Sequence, residues 1–255
     1  MISIRGLSKS FAGKPVLQGL DLDIHDGECL SIIGRSGCGK SVLLKHIIGL
    51  ITPDEGTIII DGEDLGTMSK EHLYKVRQKF GILFQGSALF DSMTVEDNIA
   101  LALREHDLMP ESEIQGVVEN TLTMVGLPGI ELLKPAELSG GMKKRVGLAR
   151  AIALNPRYIL YDEPTTGLDP IMADIINEMI IRLNEKLSVT TVVVTHDMVS
   201  SYKVATRIVM LHRGKIIFSG SPEETRNASD PVVRQFIEGS AEGPIKPILT
   251  DHIKK

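Results

Sequence analysis

The segment GRSGCGKS, residues 34–41, has the residue types and spacing of a loop that holds phosphate groups. It matches the pattern G-x-x-x-x-G-K-[ST] at every specified position, with Gly34, Gly39, Lys40 and Ser41. The glycines let the backbone curl so that several N–H groups face one phosphate, and Lys40 brings a positive charge to the phosphate oxygens. The hydroxyl of Ser41 is suited to Mg²⁺. The segment therefore predicts a nucleotide site; the alternative is a flexible Gly/Ser turn.

Two carboxylates follow the apolar segment YILY, residues 158–161. Asp162 and Glu163 come directly after this predicted strand, and a parallel sheet would place them beside the phosphate loop. We expect Asp162 to contribute to the Mg²⁺ site and Glu163 to accept the proton of an attacking water molecule. A positioned base of this kind accelerates a reaction by roughly 10²–10⁴. The alternative for the pair alone is a solvated loop.

Two further polar side chains follow predicted strands. His196 comes after TTVVVT, and Gln85 comes after FGILF. We predict that His196 senses the γ-phosphate. We predict that Gln85 contacts Mg²⁺ or water and reports the state of the γ-phosphate to the segment that follows it. A capped or surface histidine is the alternative for His196 in isolation.

The segment LSGGMKKRVGLAR, residues 138–150, predicts a second anion site. Ser139, Gly140 and Gly141 precede a basic helix, whose N-terminus offers free N–H groups and a positive dipole. One nucleotide needs one phosphate loop, and this segment lacks the lysine of that loop. We therefore predict a head-to-tail pair of chains with two-fold symmetry, in which each copy caps the γ-phosphate bound by the other. The alternative is a helix N-cap that binds nothing.

Composition and charge narrow the class of protein. The 255 residues include 42% hydrophobic and 24% charged residues, which is typical of a globular protein. A formal net charge of −5, 4% aromatic residues and no Trp argue against a nucleic-acid partner. Cys29 and Cys38 have no metal-ligand or disulfide spacing, which favours a reducing cytosol. Because no apolar run reaches membrane-spanning length, we expect a membrane role only through a partner.

The order of the predicted elements indicates an α/β fold. Buried strands are predicted from the continuously apolar runs CLSII, FGILF, YILY and TTVVVT. They alternate with helical patterns at residues 40–50 and 170–187, and therefore predict a mostly parallel sheet. The stretches ISIRGLSKSF, LDLDI and GTIIIDG predict an N-terminal antiparallel β subdomain, and residues 87–155 predict an inserted α-helical subdomain.

The last part of the chain predicts a hairpin and then an extension. The hairpin turns at Arg213-Gly214, and Ser221 begins a capping box that starts a short helix. We expect the ATPase-type domain to span residues 1–238 and a C-terminal extension to span residues 239–255. The extension lacks helical periodicity, and we predict that it crosses onto the second copy of the chain.

Taken together, these motifs resemble those of the ATP-binding-cassette ATPases. The phosphate loop, LSGGM, YILYDEP, TTGLD and TH occur in the order and spacing of that family over about residues 1–225. The resemblance implies a P-loop NTPase core, hydrolysis of ATP with Mg²⁺, and a homodimer. It implies that Asp169 lines the dimer seam and that Phe11 stacks on adenine. The alternative for Phe11 is a core or edge residue packed by Val16 and Leu17.

The expected site residues fall into three groups. The residues expected to bind the nucleotide are Phe11, Val16, Gly34, Arg35, Ser36, Gly37, Cys38, Gly39, Lys40, Ser41, Val42, Gln85, Ser139, Gly140, Gly141 and Asp169. The residues expected to bind the metal are Ser41, Gln85 and Asp162, and those expected to act in catalysis are Glu163, His196 and Lys40.

Two departures narrow the resemblance. The family usually has Gln at Met142 and Thr at Val42; the loss of the threonine hydroxyl removes one contact to the α-phosphate. With these departures, the chain is similar to the ATPase subunits of Mla/Mce-type lipid transporters. That similarity implies an MlaE-like permease, an Mce-domain protein and a small STAS-domain subunit as partners. It implies phospholipid transport from the cytoplasmic face of the bacterial inner membrane.

Other functions stay open at this stage. A transporter ATPase for another solute shares the same nucleotide chemistry. A cassette protein that acts on nucleic acid usually has two cassettes or a long coiled coil, and this chain has neither pattern. For the coupling to a permease, we expect Leu89, Phe90 and Met93 to line a groove for a cytoplasmic helix; ordinary core packing is the alternative.

Overall fold

A computed structural model describes residues 1–246 of the chain. The strands are β1 (Ile2–Phe11), β2 (Lys14–Ile24), β3 (Cys29–Ile33), β4 (Glu55–Ile60), β5 (Glu63–Asp64), β6 (Phe80–Leu83), β7 (Tyr158–Asp162), β8 (Thr190–Thr195), β9 (Arg207–His212) and β10 (Lys215–Gly220). The α-helices are α1 (Lys40–Ile47), α2 (Lys70–Arg77), α3 (Val95–Glu105), α4 (Glu111–Met124), α5 (Gly140–Ile152), α6 (Pro170–Leu187), α7 (Met198–Val204), α8 (Pro222–Arg226) and α9 (Pro231–Glu238). Short 3-10 helices occupy Leu65–Thr67 and Pro135–Glu137.

The central sheet is mostly parallel, as predicted. Its strands lie in the order β10-β9-β3-β8-β7-β6. Among the described strand pairings of this sheet, only that of β10 with β9 is antiparallel. Strands β3 and β8 are buried along their whole length. Apolar side chains are needed on both faces because Leu160 belongs to one hydrophobic cluster and Tyr161 to another. This explains the continuous apolar runs in the sequence.

The smaller sheet is antiparallel, as predicted, and has the order β2-β1-β4-β5. Alternate residues of β1, such as Ile2 and Ile4, are fully buried, whereas their neighbours face outward. The buried side chains form one cluster with α1 and with Leu30 and Ile32 of β3. The antiparallel sheet therefore packs against α1 and β3, the two elements that the phosphate loop joins.

Helices α3, α4 and α5 follow β6 and pack on the other face of the central sheet. Their apolar side chains share one cluster with β7 and α6. Thr94 and Asp97 form a capping box that begins α3, and Ser139 caps α5. The proposed limits of the helical subdomain, residues 87–155, and of the whole domain, residues 1–238, stay predictions.

The ends of two elements differ from the predicted ones. Strand β6 ends at Leu83, one residue before the predicted end, because a turn begins there. Helix α1 ends at Ile47 and not at residue 50, since Gly49 has a positive φ of 67°. The hairpin at Arg213-Gly214 and the capping box at Ser221 are confirmed.

The described part of the C-terminal extension, residues 239–246, lies against its own chain. The side chain of Gln235 in α9 accepts a hydrogen bond from the N–H of Ile245 at 2.6 Å and donates one to the carbonyl of Ile245 at 3.1 Å. The Ile245 side chain is buried in a cluster with Ile208 and Val233. The rest of the predicted extension, residues 247–255, lies outside the described residues. Its crossing onto a second copy stays a prediction.

Strand β6 approaches α5 closely at Gly81. A Cβ atom at this position would lie 2.0 Å from the carbonyl oxygen of Ala151, and a backbone atom of a helix cannot move aside. We therefore expect Gly81→Ala to lower the free energy of unfolding by roughly 3 kcal/mol, measured by urea unfolding. The matched control is Gly116→Ala, which has open space at its Cβ on α4. This control should raise the free energy of unfolding by about 1 kcal/mol, and an equal loss in both variants would contradict the steric argument.

Candidate active site

The glycine-rich loop joins the end of β3 to the start of α1. Its path requires glycine at two positions at least. At Gly34, a Cβ atom would lie 2.4 Å from the carbonyl oxygen of Leu211 and 2.8 Å from the sulfur of Cys38. Gly39 precedes α1 with a φ of 109°, a conformation that favours glycine. The loop thus brings its backbone N–H groups to the N-terminus of α1, where an anion is stabilised.

A cleft beside this loop collects most of the residues predicted from the sequence. It encloses about 330 Å³, which is within the usual range for a small-molecule site. Its lining residues are Val16, Ser36, Gly37, Gly39, Lys40, Ser41, Val42, Gln85, Glu163 and His196. These residues come from the antiparallel sheet, the loop, α1 and the ends of three neighbouring parallel strands.

Lys40 lies almost buried at the bottom of the cleft, with 6% of its surface exposed. Its ammonium group donates hydrogen bonds to the carbonyl oxygens of Gly34 at 2.8 Å and Arg35 at 3.2 Å. It also lies 3.6 Å from a carboxylate oxygen of Glu163. The loop therefore holds a fixed positive charge toward the cleft, beside the carboxylate predicted to act as the base.

Ser41 and Asp162 form a pair of oxygen donors. The Ser41 hydroxyl donates to the Asp162 carboxylate at 2.9 Å. Burial raises the pKa of Asp162, and the hydrogen bond from Ser41 partly offsets that shift. A divalent cation would stabilise the charged form of this carboxylate. Within residues 1–246, no group of three or more His, Cys, Asp and Glu side chains could hold a metal, so Mg²⁺ would need nucleotide oxygens as additional ligands.

Glu163 lies just beyond β7 with an unusual backbone. Its φ is 51°, a left-handed conformation that is uncommon for a residue other than glycine. The carboxylate is 2.9 Å from Nδ1 of His196 and accepts hydrogen bonds from the hydroxyls of Thr166 at 3.1 Å and Thr195 at 3.5 Å. The structure thus brings Glu163, His196 and Lys40 together. Sequence analysis missed both threonines, although each lies within three residues of a predicted site residue.

The LSGG segment lies elsewhere. Ser139 caps α5, its hydroxyl oxygen accepting the N–H of Met142 at 3.3 Å, and both Ser139 and Gly140 are exposed. Gly141 is buried, and a Cβ atom there would lie 2.4 Å from the end of the Met172 side chain. Among the described residues that line the cleft, none belongs to this segment. The exposed helix N-terminus of α5 is therefore open to another molecule.

The remaining predicted residues are not among those that line the cleft. Phe11 ends β1 with 42% of its surface exposed, so it does not pack in the core. Asp169 caps α6, accepting the N–H groups of Ile171 and Met172 at 3.0 Å. Arg35 donates to the carbonyl of Lys246 at 3.1 Å, and burial raises the pKa of the Cys38 thiol. The roles assigned to all of these residues stay predictions.

Comparison with known proteins decides the family. The model of the ABC transporter family matches residues 17–166, more than half of the chain. The chain belongs to the ABC transporter family. It is an ATPase cassette of this family, which confirms the fold class and the enzyme class inferred from the sequence.

The cassette is similar to curated proteins over most of its length. It is 44% identical over 244 residues to the "Probable ribonucleotide transport ATP-binding protein mkl" of Mycobacterium tuberculosis strain H37Rv, covering 96% of the cassette and 68% of the relative. It is 42% identical over 245 residues to the "Intermembrane phospholipid transport system ATP-binding protein MlaF" of Escherichia coli K12, covering 96% and 91%. The resemblance stated from the motifs is thus confirmed.

Solved structures of similar fold are cassettes as well. The ATP-binding cassette MJ0796, solved as a dimer in a post-hydrolysis state with ADP and Pi, is 33% identical with a TM-score of 0.80, covering 87% of this chain and 99% of that one. CbiO1 from Clostridium perfringens, part of the ABC transporter complex cbiONQ, is 28% identical with a TM-score of 0.82, covering 92% and 93%. None of the helices in residues 1–246 is long and apolar enough to cross a membrane.

Proposed function

We propose that the cassette hydrolyses ATP to drive a membrane permease that moves phospholipids between the inner and outer membranes of a bacterium. The observation that carries this proposal is the 40–42% identity to two MlaF proteins, which extends over at least 91% of their length. Their printed names describe an intermembrane phospholipid transport system. Such similarity over nearly whole chains supports a shared role, and not only a shared nucleotide site.

A second candidate substrate follows from the mycobacterial relatives. Their printed name describes probable ribonucleotide transport, and they are 44% identical to the cassette. The chemistry of the cleft is the same for both candidates, because the transported solute is bound by the permease. We favour phospholipid because the cassette covers 91–93% of the MlaF proteins but only 68–70% of the mycobacterial ones.

Within the nucleotide site, we propose that Ser41 and Asp162 would hold Mg²⁺ together with oxygens of the nucleotide, that Gln85 would add a contact, and that the ion would neutralise phosphate charge. Ser41 and Asp162 are in contact, and Gln85 lines the same cleft. Phe11 and Val16 would face the adenine ring of the nucleotide, and Lys40 would neutralise the phosphate charge. Glu163, in contact with His196, would take the proton from water.

We propose that two copies form the functional unit, with the LSGG segment of each covering the nucleotide of the other. Ser139 and Gly140 are exposed at the N-terminus of α5, and Asp169 is exposed at the N-terminus of α6. These positions are suited to contacts between copies. The dimer of MJ0796 supports this arrangement by fold similarity.

We propose that the permease is an MlaE-like protein, and that it connects the cassette to an Mce-domain protein and a small STAS-domain subunit. We propose that the cassette works on the cytoplasmic face of the inner membrane. Purification of the cassette with its partners from detergent-solubilised membranes tests this. The expected result is a multi-pass permease with bound phospholipid, identified by mass spectrometry. Ribonucleotide in place of lipid would favour the second candidate, and nucleic acid with no permease would contradict the proposal.

Phe90 is the residue that we propose contacts the permease. Asn98 accepts the N–H of Phe90 at 2.7 Å and donates to its carbonyl at 3.1 Å, which fixes the backbone while half of the side chain is exposed. Leu89, in contrast, packs against the helical cluster, as the core alternative predicted. The exposed aromatic ring is the apolar anchor of the proposed groove.

Substitution of Phe90 tests this contact. Phe90→Asp is expected to lower the amount of permease that co-purifies at least ~10-fold, because a carboxylate would be buried without a partner. Leu108→Asp is the matched control, since Leu108 has similar exposure, 47% against 50%, but lies beyond the opposite end of α3. Equal retention of the permease by both variants would remove Phe90 from the interface. Thermal melting of each variant checks that the fold is intact.

A further inference from the structure

Helix α5 carries a buried lysine between two parts of the active site. Lys144 has only 5% of its surface exposed. Its ammonium group donates one hydrogen bond to the backbone carbonyl of Gln85 and another, at 3.3 Å, to the backbone carbonyl of Glu163. These acceptors belong to different segments, which follow β6 and β7 respectively. One side chain of α5 therefore holds two segments that each contribute a residue to the lining of the cleft.

The loop after β6 is bound to α5 at a second point. Arg150 donates to the carbonyls of Ser87 at 2.6 Å and Ala88 at 2.7 Å. Both Ser87 and Ala88 have a positive φ, 62° and 48° respectively, which residues other than glycine rarely adopt. The contacts from α5 hold the loop in this conformation. Arg150 thus binds the loop alone, whereas Lys144 binds the loop and Glu163 together.

The burial of Lys144 is costly for a residue that serves only to pack. Removing an ammonium group from water is unfavourable unless it gains hydrogen bonds and opposite charge. Burial lowers the pKa of Lys144, and the negative charges of Asp162 and Glu163 partly offset that shift. The lysine is therefore stabilised by the charge of the two active-site carboxylates, while its hydrogen bond to Glu163 is to the backbone carbonyl.

The backbone of Glu163 is fixed from two directions. Its N–H donates to the carbonyl of Val194 at 2.9 Å, and its carbonyl accepts the ammonium group of Lys144. These two contacts hold Glu163 in a left-handed conformation, with φ of 51°, and so set where its carboxylate lies. Misplacement of a reacting group by about 1 Å can lower a rate by 10²-fold.

We propose that Lys144 is a positioning residue for hydrolysis, which holds the carbonyls of Gln85 and Glu163 on helix α5 and so links Glu163 to the helix that Ser139 caps. Engagement of Ser139 by the nucleotide of a second copy then acts on α5, and Lys144 transmits the movement of α5 to Glu163 of the same chain. The inference rests on the proposed role of Glu163 as the base and on the proposed contact of Ser139 with the nucleotide of a second copy.

The test measures ATP hydrolysis by the full chain. Lys144→Met keeps the length and apolar stem of the side chain but removes the donor, and is expected to lower kcat at least ~10-fold with KM for ATP changed less than ~3-fold. Lys144→Arg keeps a donor and should retain more than a third of the wild-type kcat. If Lys144→Met melts below the assay temperature, Lys144→Gln takes its place with the same expected loss. An unchanged kcat would overturn the proposal.

Arg150→Met separates the link to Glu163 from simple anchoring of the loop. This variant frees the loop at Ser87 and Ala88 but leaves the contact between Lys144 and Glu163 intact. We expect its kcat to fall less than ~3-fold. A loss equal to that of Lys144→Met would overturn the proposal, because it would show that the loop alone matters.

A double variant isolates the action through Glu163. If Lys144 works by positioning Glu163, then Lys144→Met should cause less than a ~2-fold further loss in a Glu163→Gln background, whereas independent effects would multiply. Single-turnover hydrolysis is the measurement. Multiplying effects would overturn the positioning role. The proposed role of Glu163 as the base fails separately if the Glu163→Gln variant alone retains wild-type turnover, and the proposed transport function is tested independently by co-purification of the permease.

Discussion

Replacing Glu163 by Gln is expected to lower kcat for ATP hydrolysis at least ~100-fold while leaving ATP binding intact. Glutamine has nearly the same shape but cannot accept the proton of the attacking water. The phosphates are held by the loop and by Lys40, and this binding does not require residue 163 to accept a proton. Without hydrolysis, the nucleotide persists between two copies, so the variant should form a stable dimer in the presence of ATP.

Three measurements check this expectation. Steady-state hydrolysis gives kcat, equilibrium binding of a fluorescent ATP analogue gives affinity, and size-exclusion chromatography with and without ATP gives the oligomeric state. Glu185→Gln is the matched control, because Glu185 is an exposed carboxylate on α6 and should leave all three unchanged. Retention of wild-type turnover by Glu163→Gln would remove Glu163 from its proposed role.

Replacing Ser139 by Arg is expected to reduce hydrolysis at least ~100-fold without altering the cleft of the same chain. Ser139 caps α5 and is exposed, away from the residues that line the cleft. A bulky side chain there would block the phosphate of a second copy, and would leave the phosphate loop of its own copy unchanged. ATP binding by the isolated chain should therefore remain at the wild-type level.

Mixing two inactive variants gives the sharper result. In a mixed dimer of Ser139→Arg with Lys40→Ala, one site combines both defects and the other combines two intact halves. With random pairing, half of the dimers are mixed and one of their two sites works, so activity should recover to about a quarter of wild type. A mixture no more active than either variant alone would contradict sites shared between copies.

The sequence was sufficient for the elements that position the cleft, because each one depends on local pattern. The buried strands were predicted from continuous apolar runs, and the loop from glycines that only a tight turn explains. Gly34 illustrates this, since a Cβ there would collide with the backbone of β9. Residues that follow such strands, Asp162 and Glu163 among them, could be placed at the same edge of the sheet by topology alone.

The sequence was not sufficient where a contact depends on segments far apart in the chain. Lys144 belongs to a helix that its composition describes as basic, which normally indicates a solvated face. Its burial depends on carbonyls 59 and 19 residues away, and no local pattern reports these. Thr195 was missed for a related reason, because its hydroxyl reaches Glu163 only after the ends of β7 and β8 have met. Residues 239–246 likewise gave no periodicity, although Ile245 is buried against α9.

The backbone of Glu163 has a consequence for how this position can evolve. A left-handed conformation costs about 1 kcal/mol or more for a residue with a side chain, and glycine or asparagine adopts it more readily. A chain selected for stability alone would therefore favour Gly or Asn at position 163. The proposed role in hydrolysis explains why glutamate stands there instead. Relaxed selection, as in a duplicated copy that only binds nucleotide, should let this position drift first and leave the fold more stable than before.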